Sequence, residues 1–460
     1  MTINNQWLTQ KTGDPFADVG GIVLRILMQE KKTEDVMQII EDTAKLYVND
    51  WKGKLHAFFL NSTITQAAFK GNRKVTETVK FFKALLEDRL PFEEGYCRIL
   101  GEKTKVFAGG RDNHILSGSG TFINFHHGFQ GGIMLSKEAL IRMFFVPMGC
   151  VQLGDKIALL YSNEEELVEY FVTENKLENS RQIASRVTEG IHRSEFKHPS
   201  SALFDFAKKW ITISKKDFVD NTEINLYHFT NFGASPEVNL YNFSATLFSF
   251  YSRVQYRTLK PDWNRFSYAH FYQKNAVYRV DSATFLVKEK KEEKEVPYED
   301  FKIWRNGIYD SLLSGRSIRR AMLNWVGKRK QTLNFEIVKL YQIMLKDMNE
   351  KTLKIIERIA DYVLEDSGNI KRNVVNLQKP TQAYAFRNAL RRLAKKNLGE
   401  KKETPLFTLE EYALELFPDG TYWQEIQDLL LIAIYQKMHE QKIWLDDDEL
   451  LIEETETENL

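Results

Sequence analysis

Two spacings of apolar residues organise the first two thirds of the chain. A spacing of three and four residues predicts helices at 22–28, 33–46 and 135–145. Alternation of polar and apolar residues predicts half-buried strands at 225–229 and 239–243, and turn residues predict a strand pair around Gly154-Asp155. The stretch 12–21, TGDPFADVGG, is typical of a turn. This part of the chain therefore predicts a body that mixes helices with strands.

From residue 298 onward the apolar spacing is helical almost throughout. The predicted helices lie at about 298–313, 317–326, 335–364, 381–396, 409–416 and 422–441. Six helices with short connections predict a bundle. The predicted fold class is α+β, with a mixed α/β N-terminal body followed by an all-α C-terminal bundle.

The two patterns meet at residues 288–297, KEKKEEKEVP, where both charge signs crowd together and almost nothing is apolar. Such a run cannot bury enough apolar surface to order itself. It is either the tip of a surface hairpin or a boundary between domains. Because the patterns differ on its two sides, we predict a boundary, with the body at 1–297 and the bundle at 298–445.

Composition indicates an ordinary globular protein of two or three domains, with 460 residues, 43% of them hydrophobic and 28% charged. Two cysteines exclude a disulfide framework, and Cys97 and Cys150 are too isolated to complete a closed zinc site. No apolar run is long enough to cross a bilayer, and the N-terminus does not have the pattern of a signal peptide. We therefore expect a cytoplasmic protein with no membrane partner.

Charge is strongly segregated, although the net charge is only +1. Residues 316–402 hold 21 Lys+Arg against 8 Asp+Glu, whereas 446–460 hold 8 acidic residues and no basic one. A basic block followed by an acidic tail predicts a polyanionic partner, with a disordered tail that either competes for the basic block or keeps the chain soluble. The alternative is that both are ordinary solvated surfaces.

A polar and basic segment at 61–74 is the first candidate interface. Its amide and hydroxyl side chains can read base edges, and its cations can neutralise phosphates. The predicted contacts are Asn61, Ser62, Thr65, Gln66, Lys70, Asn72, Arg73 and Lys74, joined by Arg111 from the glycine-rich segment 109–132. The alternative is that these residues only form turns and helix caps.

A cationic stripe in the bundle is the second candidate interface. Arg387, Arg391 and Lys395 recur every four residues and share one helical face, while apolar residues occupy another. The other predicted cations of this path are Arg319, Arg320, Lys328, Arg329, Lys330, Arg392 and Lys396. Residues 196–278 add 20 of the 58 aromatic side chains, which either stack on bases or form a sheet core.

Local motifs for catalysis are missing. The sequence has no HExxH, GxSxG, P-loop or CxxC, and no DxD before the acidic tail. The adjacent His126 and His127 would point in different directions on a strand. We therefore predict no metal, no cofactor and no enzymatic activity. A nucleic-acid-processing enzyme whose site is dispersed over residues such as His114, His126 and Asp155 stays open, as does a helical scaffold protein.

Several stretches resemble the large subunit of type I CRISPR–Cas surveillance complexes (Cascade), most closely the I-B form. They are 12–21 (TGDPFADVGG), 60–66 (LNSTITQ) with Lys70-Gly71, the helix that ends in Pro147-Met148-Gly149, and Leu416-Phe417-Pro418 leading into 423–435. The similarity runs along nearly the whole chain, through short and loosely matching motifs.

The resemblance implies a non-catalytic subunit in which guide RNA supplies sequence specificity. The body would grip the 5′ end of the guide RNA and read the protospacer-adjacent motif in duplex DNA, and the bundle would hold the displaced strand. The implied partners are guide RNA, target double-stranded DNA, the backbone and 5′-handle subunits, small helical subunits, and an effector helicase-nuclease or transposition proteins. The small subunit would be the bundle itself, made from an internal start at Met322 or Met344.

One departure from that family concerns zinc. Relatives often carry two CxxC pairs, but 97–101 keeps one cysteine and 131–135 keeps none. The resemblance therefore implies a degenerate zinc knuckle at about 95–150 that survives as a metal-free turn. Such a loss is compatible with a reduced, transposon-associated system.

Overall fold

The computed structural model describes residues 3–117, 132–187, 189–214, 221–231, 237–289, 292–400, 404–418 and 422–444. The chain divides into two compact units, Met1–Phe206 with Thr222–Ser244, and Ala207–Asn221 with Ala245–Leu460. A helix-and-sheet N-terminal part and a helical C-terminal part confirm the α+β class. The predicted acidic tail, His126, His127 and most of the glycine-rich segment lie outside the described residues.

The first unit combines helices with two antiparallel sheets. Its helices are α1 (Asn5–Thr9), α2 (Pro15–Lys31), α3 (Val36–Asn49), α4 (Asn72–Leu86), α5 (Lys137–Phe145), α6 (Glu165–Ser185) and the first half of α7 (Pro199–Ser214). One sheet has the order β1 (Glu93–Tyr96), β2 (Lys103–Gly109), β3 (Ile133–Leu135). The other has the order β4 (Val151–Leu153), β5 (Lys156–Ser162), β6 (Ile224–Thr230), β7 (Glu237–Phe243). The predicted hairpin and both predicted strands are confirmed. Half-burial holds for β6, whereas most of β7 is exposed, with Leu240 at 56%.

The stretch 12–21 is mostly helix, so its prediction as a turn was wrong. Asp14 caps α2 by accepting a hydrogen bond from the Ala17 N–H, 2.7 Å away, and Pro15 occupies the first helical position. Gly20 and Gly21 then lie inside the helix. A Cβ at Gly20 would come within 2.0 Å of the Arg142 carbonyl oxygen. The glycines are therefore required by the close approach of α5 rather than by a turn.

A buried ion pair, Arg142 with Asp18, ties these segments together. The fully buried Arg142 guanidinium donates to Asp18 at 3.0 Å and to the carbonyl oxygens of Ala17, Gln10 and Trp7. Asp18 also accepts from the Thr12 hydroxyl at 2.7 Å. A buried charge is tolerated when pairing and hydrogen bonds replace its water, and both are present here.

The second unit is mainly helical. Its helices are α8 (Ala245–Val254), α9 (Lys260–Tyr268), α10 (Tyr298–Phe301), α11 (Gly307–Leu313), α12 (Arg319–Gly327), α13 (Phe335–Lys346), α14 (Glu350–Glu365), α15 (Ile370–Gln378), α16 (Ala383–Gly399) and α17 (Trp423–Glu440). The strands are the pair β8 (Phe271–Tyr272) and β12 (Arg305–Asn306), and the sheet of β9 (Ala276–Arg279), β10 (Thr284–Glu289) and β11 (Glu292–Val296). A π-helical turn spans Glu411–Leu416.

Two of the predicted long helices are interrupted. The segment predicted as one helix at 335–364 breaks at Asp347, which has a left-handed backbone (φ 53°), and Asn349 caps α14. The segment predicted as one helix at 298–313 divides into α10, β12 and α11. Helix α15 is not among the predicted helices, because Gly368 and Pro380 at its two sides are residues typical of turns.

The charged run 288–297 forms most of the β10–β11 hairpin. Lys288 pairs across the strands with Glu293, with Nζ and Oε1 3.3 Å apart. Glu289 lies opposite Glu292, so charge pairing alone does not explain the strands. Buried Val296 lies opposite buried Phe285, and the run therefore pairs with the apolar part of β10. The division between compact units falls at Ser244, earlier than the predicted boundary at Pro297.

The aromatic-rich segment supplies core. In the first unit Phe204 packs on Phe243, and in the second unit Trp263 packs on Phe250. All four side chains are fully buried. Burial favours the core alternative over base stacking for these rings.

In the described part of the chain, no helix is both long and apolar enough to cross a membrane.

Candidate nucleic-acid interface

Thr65 is buried and holds the polar segment 61–74 of the first unit in its conformation. It is 7% exposed, and its hydroxyl lies 2.8 Å from the Phe59 carbonyl oxygen and 3.0 Å from that of Leu60. Ser62 adds a hydroxyl contact with Thr65 at 3.1 Å. Two of the predicted base-reading residues therefore shape the loop that carries the others.

Lys74 also serves the loop itself. It is half-buried, and its ammonium group donates to the Ile64 carbonyl oxygen. Gly53 (φ 69°) lies beneath this contact, since a Cβ there would meet the Ile64 carbonyl oxygen at 2.8 Å and Lys74 Nζ at 3.3 Å. The contact anchors the start of α4 against the loop.

The remaining predicted residues of this segment face solvent, and we call them the polar loop surface. They are Asn61, Gln66, Lys70, Asn72 and Arg73. The Gln66 amide donates to the Asn61 carbonyl oxygen at 2.5 Å, and the Arg73 guanidinium lies 5.3 Å from the centre of the Phe69 ring. These two contacts limit how freely the exposed groups move.

Arg111 lies beside the polar loop surface, as expected if both belong to one interface. The Asn61 N–H donates to the Arg111 carbonyl oxygen at 3.3 Å. Neither segment is close to the other in sequence, so this neighbourhood could not be read from spacing. The structure therefore adds the Arg111 backbone to the edge of the predicted motif-reading segment.

Several cations predicted to line a strand path instead hold the second unit together. Arg319 is paired with Glu425 at 2.8 Å and with Asp428 at 2.9 Å, and Lys396 is paired with Asp366. Arg320 also reaches Asp428, at 3.3 Å, but keeps 57% of its side chain exposed. Counting charges along the chain could not reveal these carboxylates because most lie far away in sequence.

Two further arginines lie on aromatic rings. The Arg387 guanidinium is 4.6 Å from the centre of the Phe417 ring, and that of Arg329 is 5.8 Å from Trp325. Such stacking keeps the charge while fixing its position. Arg387 is therefore only half-exposed, although it was predicted to lead the cationic stripe.

The cations of helix α16 that face solvent form what we call the α16 cationic surface, consisting of Arg391, Arg392 and Lys395. Sequence reasoning found all three. It missed the exposed Arg372 and Lys379 at the neighbouring helix α15, which packs against α16, because no helix is predicted there. It also passed over Tyr384, in the first turn of α16. Lys328 is exposed at the end of α12.

The start of the segment predicted as a degenerate knuckle forms a tight turn between β1 and β2. The Cys97 N–H donates to the Glu102 carbonyl oxygen at 2.9 Å, and Gly101 (φ 72°) closes the turn onto Cys97. The Arg98 N–H donates to the Met134 carbonyl oxygen at 3.1 Å, which brings the described part of the second degenerate segment alongside. Gly131 lies outside the described residues.

Two of the three residues named for a dispersed catalytic site, His114 and Asp155, lie in the described ranges. Burial lowers the pKa of His114 to about 4, which keeps its ring neutral, and Asp155 is exposed at the β4–β5 turn. Within the described ranges, no group of three or more His, Cys, Asp and Glu side chains could hold a metal ion. His126 cannot be placed because it lies outside those ranges.

One family model matches the chain, and it is described as the DevT C-terminal domain. The match covers residues 324–460, which begin inside α12 and continue through the rest of the second unit. No curated protein matches the chain.

Proposed function

We propose that the chain is the non-catalytic large subunit of an RNA-guided DNA-targeting complex of the Cascade kind. In this role it recognises the protospacer-adjacent motif in duplex DNA, helps to open the duplex, holds the displaced strand and recruits a downstream effector. It works in the cytoplasm with guide RNA and with the backbone, 5′-handle and small helical subunits.

The observation that carries this proposal is that each compact unit has its own exposed basic surface. The polar loop surface combines amides with Lys70 and Arg73, which suits motif reading because amides pair with base edges. The α16 cationic surface contains only cations, which suits a strand held by its phosphates. Two surfaces of different chemistry fit a subunit that reads a duplex with one part and holds a strand with another.

The structure offers less support for a small subunit that is produced from an internal start. The family match begins two residues after Met322, but Met322 is fully buried within α12. Met344 lies within α13. A product that starts at Met344 would lose most of α13, so Met322 is the better of the two proposed starts.

Binding of the full chain to DNA at several salt concentrations tests the proposal. We expect the logarithm of the binding constant for a duplex to fall linearly with the logarithm of salt concentration, because each phosphate contact releases counterions. Fluorescence anisotropy with a labelled duplex measures this slope. Binding without salt dependence, or metal-dependent cleavage of the DNA by the purified chain, would contradict the proposed function.

A further inference from the structure

An exposed tyrosine stands at the start of the helix that carries the α16 cationic surface. Tyr384 is 72% exposed, a larger fraction than for any other aromatic residue in the described part of the chain. Large rings usually contribute to a core, as Phe386 does two residues later at 0% exposure. Packing within the second unit therefore does not explain the position of the Tyr384 ring.

Helical geometry aligns this ring with two cations. Arg391 follows Tyr384 by seven residues and Lys395 by eleven, so at 3.6 residues per turn the three side chains project within about 40° of one another. The buried residues of α16 point the opposite way, and they are Phe386, Leu390, Leu393 and Asn397. From Tyr384 to Lys395 the row extends about 16 Å along the helix.

The charge of this row is not neutralised within the described residues. No carboxylate there lies within ion-pairing distance of Arg391, Arg392 or Lys395, and α16 itself contains no Asp or Glu. Arg391 makes its hydrogen bond to the side-chain oxygen of Asn388, which is uncharged. In contrast, Lys396 on the neighbouring face is paired with Asp366. Among the described residues, the positive charge of the row is therefore not compensated.

We propose that this row binds single-stranded nucleic acid, with the Tyr384 ring stacked on an unpaired base and with Arg391 and Lys395 on the phosphates that follow. Stacking platforms beside cationic grooves bind single strands with little sequence preference, since every base has an aromatic face. The inference rests on the proposed function and makes it more specific. It names the residue by which the chain would distinguish an unpaired strand from a duplex.

A protein partner fits the row less well. Protein interfaces centre on apolar patches in which charged residues are depleted. On this face of α16 the other exposed apolar residue is Leu398, which is 67% exposed and lies fourteen residues from Tyr384, about 21 Å along the axis. Cations lie between the two apolar groups, so they do not form one patch.

An abasic strand provides the sharpest test because it keeps the phosphates and removes the bases. Fluorescence anisotropy with the full chain would compare labelled (dT)20 with an abasic strand of equal length. We expect the wild type to bind (dT)20 more tightly by roughly 5- to 150-fold, the range that one stacked base supplies. Tyr384→Ala should remove most of this preference, and Tyr384→Phe should retain it.

Two further variants complete the design. Tyr272→Ala is the matched control, since Tyr272 is 69% exposed in the same unit but on β8, and it should keep the wild-type preference. Arg391→Gln with Lys395→Gln should weaken binding of both strands and reduce the salt slope by about 1.4. Unchanged thermal unfolding of each variant would show that the fold is intact.

The outcomes separate this inference from the function on which it rests. Equal, salt-dependent binding of both strands, or a Tyr384→Ala chain with the full preference for (dT)20, would overturn the stacking role and leave the proposed function standing. A Tyr384→Ala chain that keeps the preference but no longer holds a protein subunit would reassign the row to a protein contact. No salt-dependent binding of either strand would overturn both.

Discussion

Single residues explain why the stretch 12–21 looks like a motif. Asp18 pairs with the buried Arg142, and Gly20 and Gly21 allow the close approach of α5. A stretch that supports a resemblance can therefore owe its residues to folding. The polar and basic residues at 61–74 divide into two groups, since Thr65 and Lys74 shape the loop while Asn61, Lys70 and their neighbours are exposed.

Gly20→Ala tests the crossing. The added methyl would meet the Arg142 carbonyl oxygen at 2.0 Å, so α2 and α5 must separate. We expect the free energy of unfolding to fall by at least about 2 kcal/mol, because overpacking outweighs the helix propensity gained by alanine. Denaturant unfolding of the full chain measures it. Gly368→Ala is the control, since a Cβ there meets nothing within 4 Å, and equal stability of the two variants would refute the crossing argument.

At the scale of elements, the loop that precedes α4 supports the proposed motif reading. Lys70 and Arg73 are exposed, and no ion pair within the described residues occupies either of them. The nearby Lys80, also on the surface of α4, has 74% of its side chain exposed and lies 3.8 Å from Glu77. Lys80 therefore provides a cation of similar exposure on the same helix but away from the loop.

Lys70→Ala combined with Arg73→Ala should weaken duplex binding and reduce the salt slope by about 1.8, because two phosphate contacts are lost. Lys80→Ala should leave the slope near that of the wild type. Anisotropy titrations from low to physiological salt measure all three proteins. If the double variant keeps the wild-type slope, the polar loop surface does not contact duplex phosphates.

The elements also show how far sequence reasoning reaches. Local periodicity predicted β6, β7 and most of the helices, because apolar spacing directly reflects which face is buried. It joined α13 to α14 because Asp347, unlike glycine, gives no signal of a left-handed backbone. It assigned Arg319 to a strand path because its partners, Glu425 and Asp428, are more than a hundred residues away. Tyr384, in contrast, was within reach, since a helical projection of 381–396 aligns it with Arg391.

At the scale of the whole molecule, the division into two compact units changes which fragment of the chain we expect to fold by itself. A domain boundary at Pro297 would mean that the bundle after it folds alone. In the second unit, however, Phe250 packs on Tyr341 and Phe266 packs on Trp325, with ring centres 6.1 Å and 6.0 Å apart. These contacts join α8 and α9 to α13 and α12. A chain that starts at residue 298 lacks both partner rings.

Fragments test this directly. We expect residues 207–460, which include the whole second unit, to unfold cooperatively, and residues 298–460 to show a weaker transition or none, because burial of Tyr341 and Trp325 depends on the missing rings. Circular dichroism during heating compares the two fragments. Equal stability would show that the predicted boundary at Pro297, rather than the division at Ser244, marks the folding unit.

The central claim is that this chain acts inside an RNA-guided DNA-targeting complex. Its most direct test is to purify the tagged full chain from cells that express it with its neighbouring genes, and to sequence the RNA that copurifies. The account predicts short guide RNAs of uniform length together with backbone subunits in fixed ratio. A chain that purifies alone, without RNA and without subunits, would contradict it.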